Sequence, residues 1–297
     1  MLGSMATVHL IDASPYIFRA YFSMPSTMTS PAGEPVGAVY GFGSFLARYL
    51  SEEQPTHLAV AFDRSLTTSF RNEIYPQYKA QRELPPPELE AQIDDCEALA
   101  AAFGGAVFID ERYEADDLIA TLVDRLVTQG HGAVIVTSDK DLAQLVGPGV
   151  ALYDFAREER YREEEVMEKF GVRPEQIADY LGLAGDSVDN IPGVAGVGAK
   201  TAAALLGHFR DLDDLYDRLD EVAEVKVRGA RTLGAKLEAA RETAFLSRRL
   251  ATVARDAPAH SSLDDLRWDG AREPLVDELF QRLGFGGLKD RIPRWAA

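Results

Sequence analysis

His57-Leu58-Ala59-Val60-Ala61-Phe62-Asp63 is a short, continuous apolar run closed by an acid. Its length and composition predict a buried strand. The plan recurs along the chain. Val8-His9-Leu10-Ile11 ends at Asp12, Ala106 to Ile109 precedes an acidic stretch, and Ala133-Val134-Ile135-Val136 runs into Thr137-Ser138-Asp139. Val150 to Tyr153 reads as a fifth strand. Amphipathic segments lie between: the stretch after Asp12, Val36 to Leu50, Glu88 to Phe103, and the run from Leu118 to about Gln129. Strands alternating with helices predict an α/β domain with a mainly parallel sheet. In such a sheet the strand ends share one edge, where ligands bind.

Carboxylates gather at that predicted edge. Asp12, Asp63 and Asp139 follow three strands, with Asp141 just beyond, and Glu114-Ala115-Asp116-Asp117 follows a fourth. A single strand-end acid is explained as a helix cap. Three carboxylates in four residues repel one another, and a helix N-terminus or a bound cation can hold them. Gly185-Asp186-Ser187-Val188-Asp189-Asn190 brings two more, making nine with Asp12. No histidine lies beside the acidic motifs and Cys96 is the only cysteine. The donor set is therefore oxygen, which suits Mg²⁺ or Mn²⁺ and not zinc. Nine carboxylates could hold two ions about 3.5–4 Å apart, as in-line phosphodiester cleavage requires.

Residues 64 to 87 are polar and basic, too irregular for an ordinary connection, and read as a functional loop. Lys79 and Arg82 in it could neutralise a scissile phosphate. Tyr78 is read two ways, stacking on an unpaired base or packing against its own loop. After residue 160 the pattern becomes mostly helical, with helices expected over Glu163 to Phe170, Pro174 to Leu183, Asp211 to Leu219 and Gly234 to Arg249. Gly193-Val194-Ala195-Gly196-Val197-Gly198-Ala199-Lys200-Thr201 leads into a further helix. It is not a Walker A loop, because Ala199 separates Gly198 from Lys200. It reads either as a helix-hairpin-helix contact to a nucleic-acid backbone or as a tight helix–helix turn. The net charge of −17 argues against nucleic acid, but basic runs at Arg64–Arg82 and Lys226–Lys236 flank the acids. There is no transmembrane run and no signal peptide, so the expected address is cytoplasmic.

Five stretches occur in order: Leu10-Ile11-Asp12-Ala13-Ser14; Phe70-Arg71 with Tyr75-Pro76-Gln77-Tyr78-Lys79-Ala80-Gln81-Arg82; Glu114-Ala115-Asp116-Asp117; Thr137-Ser138-Asp139-Lys140-Asp141; and Gly185 to Val194. Together they resemble the bacterial 5′ nuclease family, the 5′–3′ exonuclease domain of DNA polymerase I and its stand-alone flap-endonuclease relatives, from about residue 7 to about residue 290. The resemblance implies a PIN-like core at 5–172 with a helical arch, then a helical DNA-binding domain at 173–297 with a helix-three-turn-helix. It implies a first metal set of Asp12, Asp63, Glu114 and Asp116, and a second of Asp117, Asp139, Asp141, Asp186 and Asp189. Lys79 and Arg82 become the arch pair, and Arg19 and Arg71 phosphate contacts. Ser187, Val194 and Val197 become potassium ligands beside the clamp residues Gly193, Gly196, Gly198, Lys200 and Thr201. Ala13, Gln77 and Gln81 depart from the usual family residues; none is a metal position.

The expected activity is hydrolysis of branched or 5′-ended duplex DNA, extending to RNA–DNA hybrids, by a monomer that is read as a stand-alone enzyme, with a DNA polymerase I fragment cut at its domain boundary as the alternative. The competing readings are a junction-binding protein without useful catalysis, an RNase H-like activity and a small-molecule phosphatase.

Overall fold

The computed structural model describes residues 5–64 and 68–297. Six strands form one sheet: β1 (Thr7–Asp12), β2 (Leu58–Asp63), β3 (Ala106–Asp110), β4 (Gly132–Val136), β5 (Val150–Asp154) and β6 (Glu159–Tyr161). Their order is β3-β2-β1-β4-β5-β6; all neighbours are parallel except β5 and β6. The short antiparallel β6 was not anticipated: its three residues carry no apolar run.

The first helices are α1 (Ser14–Ser23), α2 (Gly37–Glu53), α3 (Phe70–Ile74), α4 (Pro87–Ala102) and α5 (Ala115–Thr128). They cover both faces of the sheet. On one side α2 buries Phe42, Leu46 and Leu50 with α4 beneath them; on the other α5 buries Leu118, Ile119, Leu122 and Val123. Each fully buried side chain of this size contributes about 1.5–3 kcal/mol. The two-sided cover explains why β1, β2 and β4 read as continuous apolar runs. The strand order reverses direction between β1 and β4, and the crevice at such a reversal is where open parallel sheets bind ligands. Asp12 and the segment after Val136 flank that crevice.

The remaining helices are α6 (Glu163–Phe170), α7 (Ile177–Ala184), α8 (Ala199–His208), α9 (Leu212–Asp217), α10 (Ala230–Ala239), α11 (Arg241–Ala251) and α12 (Glu273–Leu283). The expected helix from Gly234 to Arg249 is two helices, broken at Ala240, whose ψ of 10° leaves the helical range. Good helix formers on both sides hide that break from sequence. Helices α7 to α11 share the hydrophobic cluster on the α5 side of the sheet. The C-terminal segment does not stay with them. Trp268, Val276, Phe280, Leu283 and Leu288 join the cluster around α2 and α4. Trp268 Nε1 donates to Phe103 O at 2.8 Å, and its backbone N–H donates to Thr56 O at 2.9 Å.

The basic loop, described from residue 68, holds α3 and then successive turns over residues 75–82. It lies against the 186–191 loop. Lys79 N donates to Asp189 O at 3.0 Å, Asn190 Nδ2 to Gln77 O at 2.6 Å, and Gln81 Nε2 to the carbonyls of Ser187 and Val188. Lys79 and Asn190 both adopt left-handed backbone, with φ of 54° and 57°, at this contact. Two non-glycine residues in that region mark a turn-to-turn contact held by its surroundings.

Candidate metal centre

The strand ends deliver their acids to one crevice, and hydroxyl groups tie them together. Asp12 accepts from Thr137 Oγ1 at 2.7 Å and from Ser14 N at 3.3 Å. Ser14 Oγ donates to Asp63 at 2.7 Å, and the other Asp63 oxygen accepts from Ala115 N at 2.7 Å, at the start of α5. Thr137 Oγ1 accepts from Asp139 N, and Asp139 accepts from Asp141 N at 2.8 Å. Ser14 and Thr137 thus orient the carboxylates that end β1 and β2. In the sequence Ser14 reads only as a cap for the helix after Asp12, which the structure does not bear out, and Thr137 carries no reading; the available signal is a hydroxyl residue within two positions of a strand-end acid.

The second group comes from the 185–191 loop. Asp186 accepts from Val188 N at 2.6 Å and pairs with Lys140 at 3.2 Å. Asp189 pairs with Arg82 and stands 3.7 Å from Lys79 Nζ. Glu114 stands 3.0 Å from the same ammonium. Lys79 therefore supplies a positive charge between the two groups of acids. Burial would pull its ammonium down, but Glu114, the Tyr78 oxygen and Asp189 outweigh that and hold it well above the usual lysine range. Burial also works to raise Glu114, and Lys79 and Arg71 overcome it, leaving Glu114 below the usual range.

Other carboxylates have no such relief. Burial, then Asp63, pushes Asp12 well above the ordinary carboxylate range, against the Thr137 hydrogen bond. Burial, then Asp139, Asp12 and Asp63, does the same to Asp116. Burial, then Asp139, Asp186 and Asp189, raises Asp141. Asp141 Oδ1 is also buried without a hydrogen-bond partner. A starved carboxylate oxygen beside crowded acids fits hard divalent cations. Among the described residues no three acids are arranged to close a metal shell as they stand; hydrogen bonds and Lys79 hold several of their oxygens.

Three expected roles are corrected. Asp117, assigned to the second metal set, is fully buried and saturated. Its oxygens accept from Arg71 Nη1 and Nη2, both at 2.8 Å, from Glu114 N at 3.1 Å and from Ala254 N at 2.7 Å. No lone pair faces the crevice. Arg71, expected to contact phosphate, is its partner and is 2% exposed, with further bonds to Leu250 O and Thr252 O. Tyr78 is 3% exposed, so no base can stack on it; its hydroxyl stands 3.1 Å from both Glu114 and Asp189. Of its two readings, packing is the one realised. Arg19 is exposed on α1, which begins two residues after Asp12.

Helices α7 and α8 are joined by residues 185–198, the glycine-bearing loop. Gly198 caps α8; Lys200 in its first turn is exposed, and Thr201 is half-buried. Val194 N donates to Leu183 O and Val197 N to Val194 O, placing both valine side chains in the core. Ser187 is exposed on the same loop and its carbonyl accepts from Gln81. Gly193 has φ +61°, and a Cβ there would lie 2.3 Å from Gly185 N. Gly193→Ala is therefore expected to lower stability by about 2 kcal/mol. Urea denaturation checks this.

A family model for the N-terminal resolvase-like domain of 5′-3′ exonucleases matches residues 7–171, and one for their C-terminal SAM fold matches residues 172–274. The chain belongs to the 5′–3′ exonuclease family. Within the family it is 40% identical over 288 residues to DNA polymerase I of Bacillus caldotenax, covering 95% of this chain and 32% of that one. It is 41% identical over 295 residues to DNA polymerase I of Pseudomonas aeruginosa, covering 99% and 32%. The chain thus spans about a third of the length of these curated relatives. Its fold is that of T5 5′-exonuclease, solved with zinc bound (TM-score 0.67, 22% identity, 93% of this chain and 99% of that one). It is also that of the catalytic core of Rad2, solved with a DNA substrate (TM-score 0.58, 16% identity, 96% and 90%). No helix among the described residues is long and apolar enough to cross a membrane.

Proposed function

We propose that this exonuclease-family chain cuts DNA at or near a 5′ end, releasing 5′ flaps at duplex junctions and degrading duplex from its 5′ terminus. The observation that carries the reading is the ring of acids from β1, β2, the start of α5, the segment after β4 and the 185–191 loop, beside a glycine loop suited to phosphate. Binding alone gains nothing from carboxylates that repel phosphate, which argues against a junction-binding protein without catalysis.

Asp12, Asp63, Glu114 and Asp116 would hold one Mg²⁺ or Mn²⁺, and Asp139, Asp141, Asp186 and Asp189 another. Such ions, when bound, lower the pKa of water and stabilise the leaving 3′ oxygen. The rest falls to the chain. Lys79 and Arg82 sit at the mouth of the crevice, on the loop that meets Asp189, where their charge can pass from carboxylate to the scissile phosphate. Arg19 faces solvent nearby for a flanking phosphate. The Gly193–Thr201 loop grips duplex backbone, aided by K⁺ on oxygens of Ser187, Val194 and Val197. Residues 5–172 act as the cutting unit and 173–297 as the gripping unit. We take the active form as a cytoplasmic monomer, with RNA–DNA hybrids as a further substrate.

The test is a 5′-labelled double-flap DNA incubated with Mg²⁺ or Mn²⁺. Wild type should cut near the junction, and Lys79→Ala should cut about 10²-fold more slowly while still folding. A wild type that binds the junction and cuts nothing in either metal would sink the reading.

A further inference from the structure

Lys236 belongs to α10, about forty residues beyond the glycine loop, yet it returns to that loop. Its Nζ lies 4.0 Å from the position a Cβ would take on Gly196 and is the one heavy atom within that distance apart from the adjoining residues. Leu233 and Leu237, both buried, fix the register of α10, so this approach is built into the packing. Gly196 is exposed, with φ +81°, and its lack of a side chain leaves the space beside the ammonium open.

The charge is also uncommitted. The protein carries 48 acidic residues against 31 lysines and arginines, so carboxylates are plentiful. Several acids of the same helical region are taken by other cations. Glu238 pairs with Arg241, and Asp214 and Glu221 pair with Arg218. Among the described residues Lys236 has no carboxylate partner. An exposed ammonium held beside a bare stretch of backbone offers its charge to a polyanion laid along that loop.

We propose that Lys236 is a second phosphate contact of the duplex grip, so that the grip is made jointly by the Gly193–Thr201 loop and α10. The proposal rests on the duplex-cutting reading above. Lys236 makes no contact with the metal centre, and its role is positioning: it holds duplex beyond the junction and leaves the chemical step alone.

The experiment measures binding of a fluorescent 5′-flap duplex by anisotropy in EDTA across a salt series, and cleavage separately in Mg²⁺. Lys236→Ala should raise Kd about 3–10-fold near 0.15 M salt and reduce the slope of log K against log salt by about 0.9, the signature of one lost phosphate contact. The kcat at saturating DNA should be unchanged, and Lys236→Arg should restore both Kd and slope. An unaltered Kd and slope in Lys236→Ala, with wild type cutting normally, overturns this inference alone. A wild type that neither binds nor cuts the flap overturns the duplex-cutting reading with it. Equal unfolding midpoints for the variants separate the effect from misfolding.

Discussion

Asp116→Asn is expected to abolish cleavage by about 10³-fold or more while making the metal-free protein more stable. Both effects come from one carboxylate. Asp116 is crowded by burial, Asp139, Asp12 and Asp63, and its proton is held far above the usual range. Its folded-state pKa exceeds the unfolded value of about 3.9, so its stability contribution is fully present below that pH and is lost as pH rises through the folded value. At pH 7, above the unfolded value, the metal-free protein bears a penalty for this carboxylate. An amide removes the charge and should add about 0.5–2 kcal/mol in EDTA. Saturating Mg²⁺ reverses the order. Wild type gains about 2.7 kcal/mol at a hundredfold excess over its dissociation constant, and the variant gains less. Urea denaturation with EDTA and with Mg²⁺ reads the inversion. A variant that is less stable in EDTA would mean that Asp116 is a structural acid, and retained cleavage would remove it from the metal set.

Asp117→Ala, one residue on, should behave in the opposite way. It leaves the Arg71 guanidinium buried without its bidentate partner, beside Glu114 at 3.5 Å. Removing one member of a buried ion pair costs about 3–5 kcal/mol. The loss should be the same with EDTA as with Mg²⁺, because no ion is involved. Arg71→Ala should lose as much. The double change Arg71→Met with Asp117→Leu should recover a large part, because it leaves no orphaned charge. A loss of stability that appears only in Mg²⁺ would return Asp117 to the metal set.

The contrast between these neighbours shows where sequence stops informing. The sheet and its acidic edge were legible because apolar runs ending in Asp12, Asp63 and the segment before Asp139 obey local rules. Asp116 and Asp117 look alike in sequence. They differ because successive helical residues point about 100° apart, and one points at the crevice while the other meets Arg71 and Ala254. Ala254 lies 137 residues away, and no local pattern announces it. Tyr78 is the same case: its burial depends on Glu114 and Asp189, from two other elements. The approach of Lys236 to Gly196 likewise needs the break at Ala240 and the packing of α10, neither of which leaves a local trace.

The return of residues 268–292 to the α2 and α4 face bears on the order in which the molecule can be made. A ribosome releases the strand-end acids first, the glycine loop next and Trp268 only afterwards. The hydrogen bonds of Trp268 to Phe103 and Thr56 span more than half the chain. The α2 and α4 face stays uncovered until they form, and contacts of such separation form late. The cutting edge therefore reaches its supported shape only after the grip that selects its substrate has been synthesised. On the proposed roles, a nascent chain is expected to pass through no stable stage in which it can cut but cannot hold.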